Sequence, residues 1–351
     1  MAKTGIILIG TYTDGDSQGI YGISIDRTTG QLGTPWLAGE AENPSFLTSI
    51  PPKGLIYAVS ETARFDEQPT GSIGSFSLAD YRLNPVNRCS SGGPGPCHIS
   101  LDASSRTAFV SNYIGGSLCT VPIGESGPLL DTGQVVSHEG KVAGRRSHVH
   151  CAVVAPSGGY LLVADLGLDR VFVYRLDTSG EHAPPTVVQE FEFAQESGPR
   201  HMAFHPSGQF VYVACELNST VAALEWDPTD GRLGMLQAVS ALPAAYTGKS
   251  FAAEVQAHPS GRFLFTSNRG HDTIAAFCID SGSGLLKGIG HFPTGGRTPR
   301  HFAMSPCGRF LVVANQDSDT VTVFAIDCQT GGLRATGSQA SVPCPACVHF
   351  L

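Results

Sequence analysis

One phrase recurs along this chain about every fifty residues, and that period restricts the possible folds more than any single residue does. Clear copies are "HVHCAVVAPSGGYLLVADLGLDRVFVYRLD" from residue 148 and "PRHMAFHPSGQFVYVACELNSTVAALEWD" from 199. Two more are "AEVQAHPSGRFLFTSNRGHDTIAAFCID" from 253 and "PRHFAMSPCGRFLVVANQDSDTVTVFAID" from 299. Looser copies begin at 44 ("PSFLTSIPPKGLIYAVSET") and 96 ("PCHISLDASSRTAFVSNYIGGSLCTVPI"). The turn marker falls at Pro51, Ala103, Pro156, Pro206, Pro259 and Pro306, with spacings between 47 and 53 residues.

Each copy reads as strand, Pro-Ser-Gly turn, strand, polar turn, strand, and a more variable fourth segment. Runs such as "FVYVA" and "FLFTS" are rich in β-branched and aromatic residues, as half-buried strands are. Proline presets one turn dihedral and glycine supplies a positive φ. Four strands per unit is the pattern of a propeller blade. A seventh copy is split: residues 6–26 match its second and third strands, and "CPACVHFL" at 344–351 supplies the missing first. The expectation is an all-β, seven-bladed β-propeller whose ring is closed by a blade shared between the N- and C-termini. It forms one domain over residues 1–351.

The 42 glycines, 23 prolines and 15% charged residues suit many short strands joined by turns. A net charge of −8 argues against nucleic acid or an acidic membrane as partner, though a few arginines can reverse the potential inside a cleft. The apolar run near the start is too short for a signal h-region, and no stretch reaches membrane-span length. Ten cysteines scattered through strand-like runs read as free thiols in a reducing cytoplasm. Cys344 and Cys347 form a lone CxxC, read as strand packing, and no cofactor or metal motif is present.

Arg200 stands six residues before its turn proline and Glu216 ten after, so the hairpin brings both to one end of an antiparallel pair. Around the repeats the six-before position reads Ser45, Cys97, His150, Arg200, Ala253, Arg300 and Ala346. The ten-after position reads Tyr12, Glu61, Tyr113, Leu166, Glu216, Arg269 and Gln316. An architectural position stays uniform between repeats, and these two gather chemistry in a chain otherwise poor in charge. They are expected to face one mouth of a central channel, with His150, Arg200, Glu216 and Arg269 converging there. The competing reading of these four is a satisfied ion-pair network.

Other polar residues have plainer assignments. His205 and His258 precede the turn proline and read as turn residues. His201 and His301 follow the six-before position, so alternation turns them toward a neighbouring blade. Asn112, Asp165, Asn268 and Asn315 precede the ten-after position, where side chains tie down strand ends.

The phrases "GPRH", "ELNS" and "SNRGHD", with "GTYT", "NPSFL" and "ADLGLDRVFVY", carry a resemblance over essentially the whole chain. The chain resembles the seven-bladed propeller lactonases, which include the propeller-type 6-phosphogluconolactonase and the fungal 3-carboxy-cis,cis-muconate cyclase. The resemblance implies an active site of a histidine, two arginines and a glutamate, falling here on His150, Arg200, Arg269 and Glu216. His148 in "SHVH" competes for the histidine role, and Arg300, Glu61, Gln316 and His148 are candidate substrate contacts. Lysine is nearly absent from these positions, so phosphate binding would rest on arginines.

The first reading is hydrolysis of an anionic sugar lactone, 6-phosphogluconolactone foremost, with that small molecule as partner. Glu216 or His150 serves as general base and the other as acid, with Arg200 and Arg269 binding the substrate anion and the oxyanion. No GxSxG elbow is present, which favours direct attack by water. Three alternatives stay open: a lactonising cyclase, a metal-dependent lactonase using Glu61, Glu216 and Asn268, and a non-catalytic interaction platform.

Overall fold

The computed structural model describes residues 4–130, 133–177 and 185–351. Among them the strands form seven four-stranded sheets, the seven blades expected of the propeller. Six sheets are built from consecutive strands, and their first strands are Leu47–Ile50, Pro96–Leu101, Val149–Val154, Pro199–Phe204, Phe251–Ala257 and Pro299–Met304. The seventh runs in the order Pro345–Phe350, Thr4–Thr11, Gly19–Asp26, Trp36–Glu40. The chain's last strand thus lies against its first, antiparallel, with Ile7 opposite Phe350 and Ile9 opposite Val348. The shared blade is as the sequence led us to expect.

Local sequence accounts for the hairpins. His205 N–H donates to the Phe210 carbonyl across the turn at 2.8 Å, and Gly208 takes a φ of 73°, which a Cβ would strain. His205 and His258 are turn residues as expected. Their Nδ1 atoms meet Ser207 and Ser260 Oγ, and their Nε2 atoms donate to the carbonyls of Gly261 and Gly308.

The chain divides into two compact units. The first holds the described residues of Met1–Glu40, His201–Glu225 and Gly234–Leu351. Its core includes clusters around Ile7, Val312 and Val348, around Tyr212, Leu264 and Phe277, and around Phe263, Phe302 and Phe324. The second holds the described residues of Ala41–Arg200 and Trp226–Leu233. Its core gathers around Tyr57, Val110 and Leu129 and around Phe109, Leu161 and Tyr174. Within each unit a cluster draws on adjacent sheets packed face to face, which buries the inward side of every alternating strand. All ten cysteines are free thiols, with Cys347 buried in strand packing. No helix among the described residues is long and apolar enough to cross a membrane.

Candidate active site

In several sheets the six-before position is a β-bulge. In the strand pair starting at Val149, Val149 faces Asp165 and Cys151 faces Ala164, so His150 is the extra residue. Arg300 is likewise extra between Pro299, opposite Asn315, and His301, opposite Ala314. Cys97 occupies the same place in its sheet. A bulge releases one residue from the ladder and re-aims its side chain, so a polar group stands there without disturbing the strand beyond. The ten-after position is where the second strand ends: Glu216 follows Phe210–Cys215, Gln316 follows Phe310–Asn315, and Arg269 closes Phe263–Arg269.

In the first unit Glu216 and Arg269 meet. Arg269 Nη2 lies 2.8 Å from Glu216 Oε2, with each side chain less than a fifth exposed. Arg269 also sits over the Phe251 ring, 5.9 Å from its centre. Arg300 donates through Nη2 to the Tyr12 hydroxyl at 2.5 Å and lies over that ring at 5.0 Å. Gln316 opens a short 3-10 turn, and its N–H donates to the Thr298 carbonyl at 2.9 Å.

The second unit holds His150, His148, Arg200 and Glu61. Tyr113 lies between the two histidines: His148 stacks on its ring at 4.5 Å, and His150 meets it edge-on at 5.6 Å. His148 Nδ1 donates to the Tyr113 carbonyl at 2.9 Å, which leaves Nε2 as the acceptor of the neutral ring. Arg200 is 2% exposed. Burial, together with the Arg200 charge, pushes the His98 pKa down to about 3. Glu61 accepts from Ser45 Oγ, so a six-before and a ten-after residue pair within one sheet.

Asp165 is occupied in tying down strand ends. Its carboxylate accepts from Ser147 Oγ at 2.5 Å, His148 N–H at 2.9 Å and Leu168 N–H at 3.1 Å, and meets His138 Nδ1 at 2.9 Å. Burial pushes its pKa up, but the hydrogen bonds from His138, Ser147 and His148 outweigh that and hold it below the usual range. Asn112 and Asn268 likewise donate to the carbonyls of Ser91 and Ala241.

Glu254 is the residue that reading by position passed over. Its carboxylate Oε2 takes His201 Nδ1–H at 2.6 Å and His301 Nε2–H at 3.2 Å, all three side chains being buried. The histidines therefore do turn toward a neighbouring blade, where a carboxylate meets both. Its signal was available: of the residues following the six-before position, only Glu254 is acidic.

A cavity of about 500 Å³ lies elsewhere in the second unit, at the turn end of the strands, walled by Ala103, Ser104, Ser157 and Gly158. Of its two carboxylates, Asp102 and Asp177, the first is spent on the turn it caps, accepting from the backbone of Ser104, Arg106 and Thr107. Among the described residues no group of three or more His, Cys, Asp or Glu is placed to hold a metal ion.

Residues 6–350 match the family described as "Lactonase, 7-bladed beta-propeller". A Bacillus subtilis (strain 168) protein named 6-phosphogluconolactonase is 34% identical over 98% of this chain and 97% of its own length. The solved structure of a Pseudomonas aeruginosa periplasmic gluconolactonase superposes with a TM-score of 0.92 at 33% identity, covering 99% of each chain. A Lactobacillus plantarum structure superposes with a TM-score of 0.91 at 32% identity, again over 99% of each chain.

Proposed function

Because the chain belongs to the seven-bladed β-propeller lactonase family, we propose that it hydrolyses an anionic sugar lactone, 6-phosphogluconolactone, to the open-chain acid. The observation that carries this reading is the Glu216–Arg269 pair, a carboxylate and a guanidinium 2.8 Å apart at the ends of the second strands of two sheets. Hydrolysis joins the oxygen of water to the lactone carbonyl carbon and breaks the bond from that carbon to the ring oxygen. One proton leaves the water and one ends on the ring oxygen.

Glu216 takes the proton from water as general base. Arg269 offers its planar fork to the carbonyl oxygen as negative charge builds there. The resemblance gives His150 the role of acid toward the ring oxygen and gives Arg200 an anion-binding role. Activity measurements on His150→Gln and Arg200→Lys test these one at a time. The names of the Bacillus and Pseudomonas relatives support a sugar lactone over a muconate lactone. Ten free thiols support a cytoplasmic location, although the Pseudomonas relative is named periplasmic.

The test is turnover of 6-phosphogluconolactone, gluconolactone and a muconate-derived lactone by the purified protein. Sugar-lactone hydrolysis well above the spontaneous rate is expected. Glu216→Gln should lower kcat by about 10²–10⁴-fold, and Arg269→Lys by about 10²–10³-fold, with both variants folded. If the pair is architecture instead, both variants stay active and melt early, since removing one partner of a buried pair costs about 3–5 kcal/mol. That result removes the pair from the chemistry, and absence of lactone turnover overturns the reading.

A further inference from the structure

We propose that Glu254 is a positioning residue for the reaction, its carboxylate fixing the two Pro-Arg-His strand starts that carry Arg200 and Arg300; this rests on the lactonase reading above. The triplet stands at 199–201 and again at 299–301, so in each a histidine directly follows an arginine. His201 donates through Nδ1–H at 2.6 Å and His301 through Nε2–H at 3.2 Å, both to Oε2 of Glu254. One oxygen, on the strand Phe251–Ala257, therefore holds the residue next to each arginine. His301 is engaged at both ring nitrogens. Its Nδ1 accepts the Val348 N–H at 3.2 Å, so the proton of the neutral ring lies on Nε2, the nitrogen that meets Glu254.

The register shows why such a tether is needed. Arg300 is left out of the ladder between Pro299, opposite Asn315, and His301, opposite Ala314, so backbone pairing does not set its direction. The hold on the following side chain takes over that task. Glu254 stands at a slip of its own, between Ala252, opposite Asn268, and Val255, opposite Thr266.

Side chains replace the interrupted ladder around Glu254. Its N–H donates to Ser267 Oγ at 3.1 Å, and its carbonyl accepts from Thr266 Oγ1 at 2.8 Å. Gln256, two residues on, grips the strand of Arg300 further along. It donates to the Phe302 carbonyl at 2.9 Å and accepts the Met304 N–H at 3.1 Å. The carboxylate is thus anchored through its own backbone, and it passes that anchorage to the two histidines. A guanidinium fork binds an anion only in a narrow range of directions, and a shift of about 1 Å arising away from the chemistry costs about 100-fold in rate.

Steady-state kinetics of Glu254→Ala and Glu254→Gln test this, on 6-phosphogluconolactone or gluconolactone, whichever the wild type turns over faster. Each variant is assayed well below its own melting temperature. Glu254→Gln keeps an acceptor oxygen for the histidines and removes only the charge, whereas Glu254→Ala removes the tether. Glu254→Ala should lower kcat/KM about 10–100-fold, chiefly by raising KM, because arginines that bind the substrate anion hold it before as well as during the reaction. Glu254→Gln should stay within about 3-fold of wild type. A Glu254→Ala variant that melts earlier but keeps the wild-type KM shows an architectural residue and overturns the proposal. A Glu254→Gln variant as impaired as Glu254→Ala also overturns it, by assigning the effect to charge and not to placement. If Glu254→Ala fails to fold, Glu254→Asp takes its place, its carboxylate drawn back by one methylene; an unchanged KM there overturns the proposal. Each of these results leaves the lactonase reading standing, whereas a wild type that turns over neither lactone overturns both.

Discussion

Arg200 is nearly inaccessible, and a guanidinium kept there makes protonation of nearby groups costly. His98 shows the consequence, its pKa pushed to about 3 by burial and by the Arg200 charge. The unfolded chain titrates this residue near 6.5, so as pH falls the unfolded state takes the proton first. The stability tied to neutral His98 is complete above pH 6.5 and is lost as the pH falls toward 3. Between pH 7 and pH 5 the loss is about 2 kcal/mol. Urea denaturation of wild type and His98→Gln at the two pH values checks this. The wild type should lose about 2 kcal/mol more than the variant over that interval, and equal losses would refute the linkage. Legibility at this scale was uneven. The spread of His, Arg and Glu over the two hairpin positions marked Glu216 and Arg269, which do form a pair. Glu254 stayed hidden because its position holds Phe46, His98, Cys151, His201, His301 and Cys347 in the other copies, a set that reads as packing. Only the fold brings His201 and His301 to the same oxygen of Glu254.

Between strands and sheets, the bulge was invisible for a different reason. It recurs at the same spacing before the turn in several sheets, so counting residues from the proline never registers the slip. Counting from the turn put His150 and Arg300 at one recurring position, while the extra residue that re-aims them shows only in the register. A second recurring device joins neighbouring sheets. The Gly284 carbonyl, in the turn before Leu286–Pro293, accepts from the Tyr212 hydroxyl at 3.0 Å, just as the Gly127 carbonyl accepts from Tyr57 at 2.9 Å. Gly284 has a φ of 71°, and a Cβ there would lie 2.5 Å from the Phe210 ring. Gly331 stands in the same relation to Phe263. Gly284→Ala therefore meets backbone strain of about 1–2 kcal/mol together with an overpacking cost of about 1–3 kcal/mol. Chemical denaturation should show a loss of about 2–5 kcal/mol. A loss below about 0.5 kcal/mol, the range of ordinary surface substitutions, would mean that the ring moves aside freely and that the device contributes no specific packing.

Across the whole chain, the repeat and its split copy were legible because each blade repeats one hairpin, and the missing piece of the first is supplied by the last residues. The pairing reproduces that hairpin closely. Leu351 N–H donates to the Ile6 carbonyl at 3.0 Å, where His205 donates to Phe210 and His258 to Phe263 at 2.8 Å. In the covalent hairpins, four residues separate donor and acceptor, as Pro206–Gln209 do between His205 and Phe210. A permuted chain follows: cut between Pro343 and Cys344, and join Leu351 to Ile6 through Pro-Ser-Gly-Gln. The pairing of Pro345–Phe350 with residues 7–11 is kept, at the loss of Thr4 and Gly5, and a pairing between opposite ends of the chain becomes a local one, which lowers the closure entropy and the contact order. The permuted protein should refold faster than the wild type, melt at a similar temperature and retain lactone turnover. Deleting residues 348–351 is the matching control. It removes Val348 from the cluster of Ile7 and Ile9 and leaves the Thr4–Thr11 strand with an open edge, so the truncated protein should melt much earlier and aggregate. If the permuted protein is insoluble while the truncation is tolerated, the last strand is not the missing first strand of the blade begun by residues 6–26, and the repeat has been divided in the wrong place.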